Sequence, residues 1–330
     1  MHKTKDIAVV ILNWNGQKLL QQFLPSVIKY SDDANIYVAD NASTDDSVTF
    51  ISEHFPTVKI IQNTENGGYA KGYNDALKTV EEPLLCLLNS DIEVTAHWLR
   101  PVLDTFNSDV DTAIIQPKIL DYKNKSLFEY AGAAGGYIDK YGYPYCRGRI
   151  FNTIEEDKAQ YNDTEVIFWV SGACFFIRNS VFKNLNGFDE SYFAHMEEID
   201  LCWRAFNTNL KAKYVGLSTV FHVGGATLSN TNPKKTYLNF RNSLFTLVKN
   251  TDSNVFIRTI TRMSLDGIAG IRFLLQLKPQ YFFAIIKAHG SFYINLGRIL
   301  KQRRLLPKQS NYFESKSIVW SYFIKKRTKF

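Results

Sequence analysis

The first 120 residues alternate short apolar runs with segments of helical period, and that alternation constrains the fold more than any other feature. Ile7–Leu12, Asn35–Asp40, Val58–Gln62, Leu84–Leu88 and Ala113–Gln116 read as strands. Between them, Gln17–Lys29, Thr44–His54, Tyr69–Val80 and Ala96–Phe106 have the length and spacing of helices. The pattern predicts an α/β fold, a mostly parallel sheet flanked by helices. Polar residues close the strands at Asn13, Asp40, Asn63 and Asn89. Ligands of open α/β sheets bind outside the carboxyl ends of the strands, so these four positions are expected to converge on one crevice.

Further along, Ala131 to Arg149 is rich in Gly and Tyr without helical periodicity, and reads as a long loop or irregular hairpin over the crevice. Phe168–Val170 and Ala173–Ile177 read as strands interrupted at Ser171-Gly172, and Glu197–Phe206 as a helix with an acidic first turn. From about Pro233 the chain is helical, basic and aromatic. Residues from Arg241 onward hold 17 basic and 3 acidic side chains, while the rest holds 22 against 29. An acidic body joined to a basic tail predicts an anionic partner for the tail. Tyr281–Leu300, with Lys287, Arg298 and the run Lys301-Gln302-Arg303-Arg304, suits helices lying in an anionic lipid interface, with a cap packed on the body as the alternative. Basic and aromatic residues interleave there, but no recognised nucleic-acid-binding motif is present, which disfavours nucleic acid.

The four cysteines lack Cys-x-x-Cys spacing and read as reduced thiols. The first apolar run is too short for a secretory signal, and an uncharged run in the Phe-rich tail such as Pro279–Ile286 falls well short of the ~20 residues needed to span a bilayer. A cytoplasmic protein that touches the inner face of the cell membrane is the resulting expectation.

Several segments carry chemistry. Asp40, ahead of Asn41-Ala42-Ser43-Thr44, places an acid at a strand end, where it can accept hydrogen bonds from a nucleobase or ribose; Ser43 or Thr44 alternatively caps the next helix. Asn66-Gly67-Gly68-Tyr69-Ala70-Lys71 is a glycine-rich entry to a helix, suited to a diphosphate or simply to a tight turn. Asn89-Ser90-Asp91 ends an apolar strand with a carboxylate able to hold Mg²⁺ or Mn²⁺. His222 also closes a probable strand, as a core residue or as a second metal ligand. Glu197, Glu198 and Asp200 cluster at a helix start, where they suit the helix dipole but also repel one another, raising at least one pKa toward that of a general base.

Taken in order from Ile7 to about Asn250, these segments resemble the family-two inverting glycosyltransferases of the GT-A fold, particularly the bacterial rhamnosyltransferase-like branch that builds surface polysaccharides. The resemblance implies a GT-A domain over residues 1–249, with a nucleotide-sugar half to about 120 and an acceptor half after it, and a basic helical extension over 250–330. It implies that Asn13, Asn15, Asp40, Asn66, Gly67, Gly68, Lys71, Asn74 and Asn89 line the nucleotide-sugar site, and that Ser171 and Gly172 form the acceptor-side turn. Asp91 and His222 would hold the metal, Mg²⁺ or Mn²⁺. Glu198 would be the base, with Glu197 and Asp200 as rivals because Glu198 stands where the family usually has Asp. Asn89 replaces the first acid of the family's Asp-x-Asp, which leaves Asp91 as the direct ligand. The implied partners are a nucleotide diphosphate-sugar donor, a saccharide or lipid-linked saccharide acceptor, and an anionic membrane surface. The alternative is a catalytically silent sugar-nucleotide-binding or scaffold protein of the same fold.

Overall fold

The computed structural model describes residues 5–224 and 232–330. Strand Ile7–Asn13 (β1) leads to helix Gln17–Tyr30 (α1), strand Ala34–Asp40 (β2), helix Ser47–His54 (α2), strand Lys59–Gln62 (β3), helix Gly68–Ala76 (α3) and strand Leu84–Asn89 (β4). These four strands are parallel and lie side by side as β4-β1-β2-β3. The alternation in the sequence therefore does what it predicts. β4 is apolar up to Asn89 and buried up to that residue, as a central strand covered by helices on both faces must be. Its register sets Leu12 against Asn89, while Asn13 faces Asp40. The Asn63 N–H donates to the Asp40 carbonyl at 2.8 Å, so all four predicted polar ends gather at one edge.

The chain continues through Ile92–Val94 (β5), Leu99–Ser108 (α4) and Thr112–Asp121 (β6). Four short strands follow: Gly136–Ile138 (β7), Pro144–Cys146 (β8), Arg149–Ile150 (β9) and Thr153–Ile154 (β10). Then come Thr164–Ile167 (β11), Cys174–Arg178 (β12), helices Asn179–Asn184 (α5) and Glu197–Asn207 (α6), and the long strand Lys211–His222 (β13). β12 enters antiparallel between β4 and β6, and β13 runs parallel to β6. Among the described residues the main sheet reads β11-β13-β6-β12-β4-β1-β2-β3, with β5 paired to β13.

Of the two forms expected for Ala131 to Arg149, the hairpin is the one present: the stretch supplies β7, β8 and the start of β9 in a small antiparallel sheet. Gly136 makes that sheet possible, because a Cβ there would lie 2.2 Å from the Trp169 ring. One expectation changes here: Phe168–Val170 is not a strand. The indole N–H of Trp169 donates to the Tyr137 carbonyl at 2.7 Å and its backbone makes a single bridge to Gly136, while the strand itself sits earlier, at β11.

Four helices complete the chain: Pro233–Asn250 (α7), Val255–Leu275 (α8), Pro279–Leu305 (α9) and Ile318–Phe323 (α10). They pack on the body. Phe292 of α9 meets Phe245 of α7, the Tyr143 hydroxyl donates to Asp266 at 2.7 Å, and Asp139 accepts the Ile318 N–H at 2.9 Å. The basic run 301–304 is partly turned inward. Arg303 donates to the carbonyls of Val248 at 2.9 Å and Asp252 at 2.7 Å, closing the end of α7, and Gln302 donates to Asp189 at 3.0 Å. No described helix is long and apolar enough to cross a membrane. All four cysteines are free and buried.

One buried ion cluster ties the tail to the body. The Lys249 ammonium lies 2.8 Å from Asp189 and 2.9 Å from Asp200, and Asp200 also accepts from Arg204 and Asn250, both at 2.8 Å. Taking one partner out of a buried cluster leaves an uncompensated charge, so Lys249→Met is expected to cost about 3–5 kcal/mol. The urea midpoint measures it; an unchanged midpoint would mean that water already solvates these carboxylates.

Candidate active site

At the tips of β1 and β2 the predicted residues meet directly. The Asn13 amide donates to Asp40 at 3.1 Å and to the Ser43 hydroxyl at 3.2 Å, and the other Asp40 oxygen accepts the Ser43 N–H at 3.0 Å. Asn13 Oδ1 is buried without a partner among the described residues. Asn15 takes a left-handed backbone, φ 49°, and its side-chain oxygen accepts the Thr44 N–H at 2.7 Å. Ser43 accepts the Asn15 N–H at 2.9 Å, so it joins the two strand ends and does not cap α2. Asn15 thus fastens the rim, leaving Trp14 half exposed beside it.

The wall next to this is built by two amides: Asn63, expected at the crevice as a strand end, and Asn41, to which the sequence gave no role. Asn41 donates to the Asn66 side chain at 3.0 Å and to the Gly68 carbonyl at 3.2 Å, while Asn63 donates to Asn41 and to the Gly72 carbonyl, both at 3.0 Å. The available signal for Asn41 was its position, immediately after a strand end. Asn66 accepts the Gly68 N–H at 3.0 Å, and the Tyr69 N–H donates to the Phe193 carbonyl at 3.1 Å. The first N–H groups of α3 are therefore engaged within the fold. Gly68, at φ 77°, is glycine because a Cβ would come within 2.6 Å of that same carbonyl. Lys71 pairs with Asp75 and with Glu65, and Asn74 clamps Phe188 through both its N–H and its carbonyl, at 2.9 Å each. Asn74 is thus a brace behind the predicted wall.

Asp91 follows β4, and β13 brings His222 to it, with Nε2 3.2 Å from the Asp91 oxygen. Two neighbouring ligands of one octahedral ion, each at ~2.1 Å, lie about 3.0 Å apart, so this pair fits a shared divalent cation. The opposite ring nitrogen lies 3.4 Å from Glu129, a buried carboxylate whose second oxygen accepts the Ala131 N–H at 2.5 Å. A carboxylate behind a histidine is the usual orienting partner of a metal-binding imidazole. Burial alone would lower the His222 pKa, but Asp91 and Glu129 on either side push it up to about 10, so a divalent ion bound by this ring has to displace its proton. Among the described residues no three acid, His or Cys side chains converge on one point, and Asp91 and His222 are the pair that fits. Glu129 escaped the sequence reading because it sits in an irregular segment without a motif.

The third group is the start of α6. Phe193, His195 and Met196 have φ of 66°, 69° and 74°, a left-handed run that side-chain-bearing residues rarely adopt. Two side chains of α7 hold it: the Asn242 amide donates to the carbonyls of Tyr192, Ala194 and His195, at 3.1, 3.0 and 2.7 Å, and the Arg241 guanidinium to those of Ser191 and Tyr192, both at 3.1 Å. This turn delivers Glu197 and Glu198 at the helix start. Each has one buried carboxylate oxygen without a partner among the described residues. Burial, and the neighbouring Glu198, push the Glu197 pKa well up, and burial pushes Glu198 to about 7. Asp200 behaves oppositely. Burial would raise its pKa, but Lys249 and Arg204 hold it below the ordinary range, as a member of the buried ion cluster.

Beside Glu198 lie Gly172 and Tyr69. The Tyr69 hydroxyl donates to the Gly172 carbonyl at 2.7 Å, and a Cβ on Gly172 would stand 3.8 Å from the Glu198 carboxyl carbon. Ser171 is buried and fixes this turn, accepting the Ala173 N–H at 3.2 Å while its own N–H donates to Gln116 at 2.8 Å. The Ala173 carbonyl in turn accepts the Asn89 N–H at 2.9 Å. A backbone hydrogen bond thus joins the Ser171-Gly172 turn to the end of β4, and the Glu198 carboxyl lies beside the same turn.

Residues 8–185 match the family model described as Glycosyl transferase family 2. The chain belongs to glycosyl transferase family 2. It is 23% identical over 289 residues to the low-salt glycan biosynthesis hexosyltransferase Agl10 of Haloferax volcanii, covering 84% of this chain and 87% of that one. It is 24% identical over 236 residues to the N-acetylglucosaminyl-diphospho-decaprenol L-rhamnosyltransferase of Mycobacterium tuberculosis, covering 66% and 76%. Among solved structures, GalNAc-T7 with UDP, GalNAc and Mn²⁺ superposes with a TM-score of 0.61 at 15% identity, over 99% of this chain and 57% of that one. Structural likeness at that identity speaks for the GT-A fold. The family match ends at residue 185, so the places of Glu197, Glu198 and His222 rest on the geometry above.

The sign of the Glu198 shift makes a stability prediction. Its pKa lies near 4.5 in an ordinary setting and about 7 here. Protonated Glu198 is compatible with the fold below about pH 4.5, and that contribution is lost as the pH rises through 7. Glu198→Gln should match the parent near pH 4.5 and exceed it at pH 8, by on the order of 1–3 kcal/mol in urea unfolding. Equal stability at pH 8 would show that the carboxylate is solvated.

Proposed function

We propose that this family member is an inverting glycosyltransferase, moving a sugar from a nucleotide diphosphate-sugar to a hydroxyl of a saccharide acceptor. The observation that carries the reading is the pair of carboxylates with partner-free oxygens, Glu197 and Glu198, held beside the Gly172 turn and Tyr69. Glu198, with a pKa near 7, is tuned for proton transfer near neutral pH. Within this reading residues 1–249 form the catalytic body, with the donor half ending near 120, and 250–330 form the extension. The Asn13–Asp40 rim receives the nucleoside, and the wall from Asn66 to Lys71 flanks the rest of the donor. Asp91 and His222 would hold Mg²⁺ or Mn²⁺, which would supply positive charge to the diphosphate. Glu198 takes the proton of the acceptor hydroxyl. The acceptor oxygen forms a bond to the anomeric carbon as that carbon's bond to the diphosphate oxygen breaks on the opposite face, inverting the configuration and releasing the nucleoside diphosphate.

The relatives support a more specific reading. Because one is a rhamnosyltransferase acting on a diphospho-decaprenol and another a glycan-building hexosyltransferase, we infer a lipid-linked acceptor, rhamnose as the first donor sugar to test, and a role in cell-surface polysaccharide synthesis. With such an acceptor we infer a peripheral protein at the inner face of the cell membrane.

Two measurements test this. A nucleoside diphosphate at 100 times its Kd should stabilise the protein by about 2.7 kcal/mol. Uridine, thymidine and guanosine diphosphates are compared with and without Mn²⁺, and one is expected to raise Tm in a metal-dependent way that Asp91→Asn removes. No shift with any of them would favour a silent scaffold. In a transfer assay, Glu198→Gln should keep that thermal shift and lower kcat by about 10² or more. Unchanged turnover would place the base elsewhere.

A further inference from the structure

Helices α8 and α9 form an antiparallel hairpin whose outer surface is apolar. On α8, Ile257, Ile260, Ile268, Ile271 and Leu275 are all exposed. Their spacing of three, four, seven and eight residues keeps them on one stripe, with Ser264 and Gly267 between. On α9, Phe283, Ile286 and Ile294 continue the surface, with Gly290 and Gly297 in the same row. A Cβ added at Gly267, Gly290 or Gly297 would meet nothing within 4 Å. Leu277, in the turn joining the helices, is 88% exposed, and Phe283 is 64% exposed. The inner faces are occupied in the ordinary way, Gly270 against Phe282 and Phe292 against Phe245.

Charge limits what covers this surface. Between residues 255 and 305 there is one acidic residue, Asp266, and it is buried against Arg262 at 2.9 Å. Arg272, Lys278, Lys287, Lys301 and Arg304 are exposed on the same hairpin. A second copy docking through this face would set basic groups against their own kind with no exposed carboxylate to meet them. An anionic lipid surface satisfies both features, since it takes isoleucine and phenylalanine side chains at the acyl boundary and basic groups at the headgroups. Neither helix is apolar enough to cross a membrane.

We propose that the exposed stripe of the α8–α9 hairpin, Ile257 to Leu275 with Leu277, Phe283, Ile286 and Ile294, is a docking surface that lies in the interface of an anionic phospholipid bilayer. This rests on the membrane-associated reading above and names the surface that serves it. The inward turn of Gln302 and Arg303 moves the contact from the basic run to the hairpin.

The test is co-sedimentation of the full chain with vesicles of three parts phosphatidylcholine to one part phosphatidylglycerol, against phosphatidylcholine alone. The parent protein is expected to pellet with the anionic vesicles, less so as salt rises. A double variant, Ile271→Glu with Phe283→Glu, changes only exposed side chains and should lose at least about tenfold in vesicle partition. Its Tm should match the parent, and a nucleoside diphosphate with Mn²⁺ should still raise it. Failure of the parent to pellet with anionic vesicles, or equal partition of the double variant, overturns the proposal. So does light scattering that finds a parent dimer which the double variant abolishes, because a second copy would then cover the face. Transfer to a water-soluble acceptor is read separately, so loss of transfer with intact vesicle binding would count against the enzyme reading alone.

Discussion

The parallel register of β1 between β2 and β4 is the constraint on which the site depends. It sets Asn13 against Asp40 and Leu12 against Asn89, so the polar residue ending each strand arrives at the same edge. Parallel strands point one way, and every loop leaving them opens on the same side. The remaining strands are then added where that edge needs them. β12, antiparallel beside β4, carries the Ser171-Gly172 turn to the Asn89 backbone, and β13 carries His222 to Asp91. A one-residue slip of β1 would turn each of its side chains to the opposite face and part Asn13 from Asp40.

Electrostatics then divides three acids on one short helix into two kinds. Asp200 is compensated by Lys249, Arg204 and Asn250, and remains ionised at no risk to the fold. Glu197 and Glu198 receive no cation of this sort, and burial makes their ionised forms unfavourable. Neighbouring carboxylates with separated pKa values are a common way for one fold to provide both a structural anchor and a proton acceptor. The identity of α6 as a helix matters here, because residue 198 lies about 200° around the helix axis from residue 200, while residue 197, three positions before it, stays on its side.

The parallel half of the sheet was legible because its signals are local. Apolar runs, their spacing and the polar residues that end them can be read without knowing what packs against what, and Asn13, Asp40, Asn89 and Asp91 follow from position alone. Other parts depend on partners far along the chain. Glu129 reaches His222 from an irregular segment, and Tyr69 reaches Gly172 across 103 residues. Asp200 looked equivalent to its neighbours until Lys249 was placed beside it. The Gly-Tyr stretch hid short strands because strands of two or three residues carry almost no periodicity. The basic run at 301–304 looked uniform, yet helix geometry turns Gln302 and Arg303 inward and leaves Lys301 and Arg304 out.

The left-handed turn before α6 also has a consequence in time. Its conformation is held by Arg241 and Asn242, the latter's amide bonding to the His195 carbonyl across 47 residues of chain. During synthesis the sheet strands from β1 to β12 are all made before Asn242 exists, and domains begin to organise in that order. The residues of the strand-end crevice are therefore all in place along the chain while the acidic turn still lacks its clamp. Only when α7 has been completed and docked does the nascent chain acquire a fixed pair of carboxylates, so maturation of the site follows the order in which the chain is made.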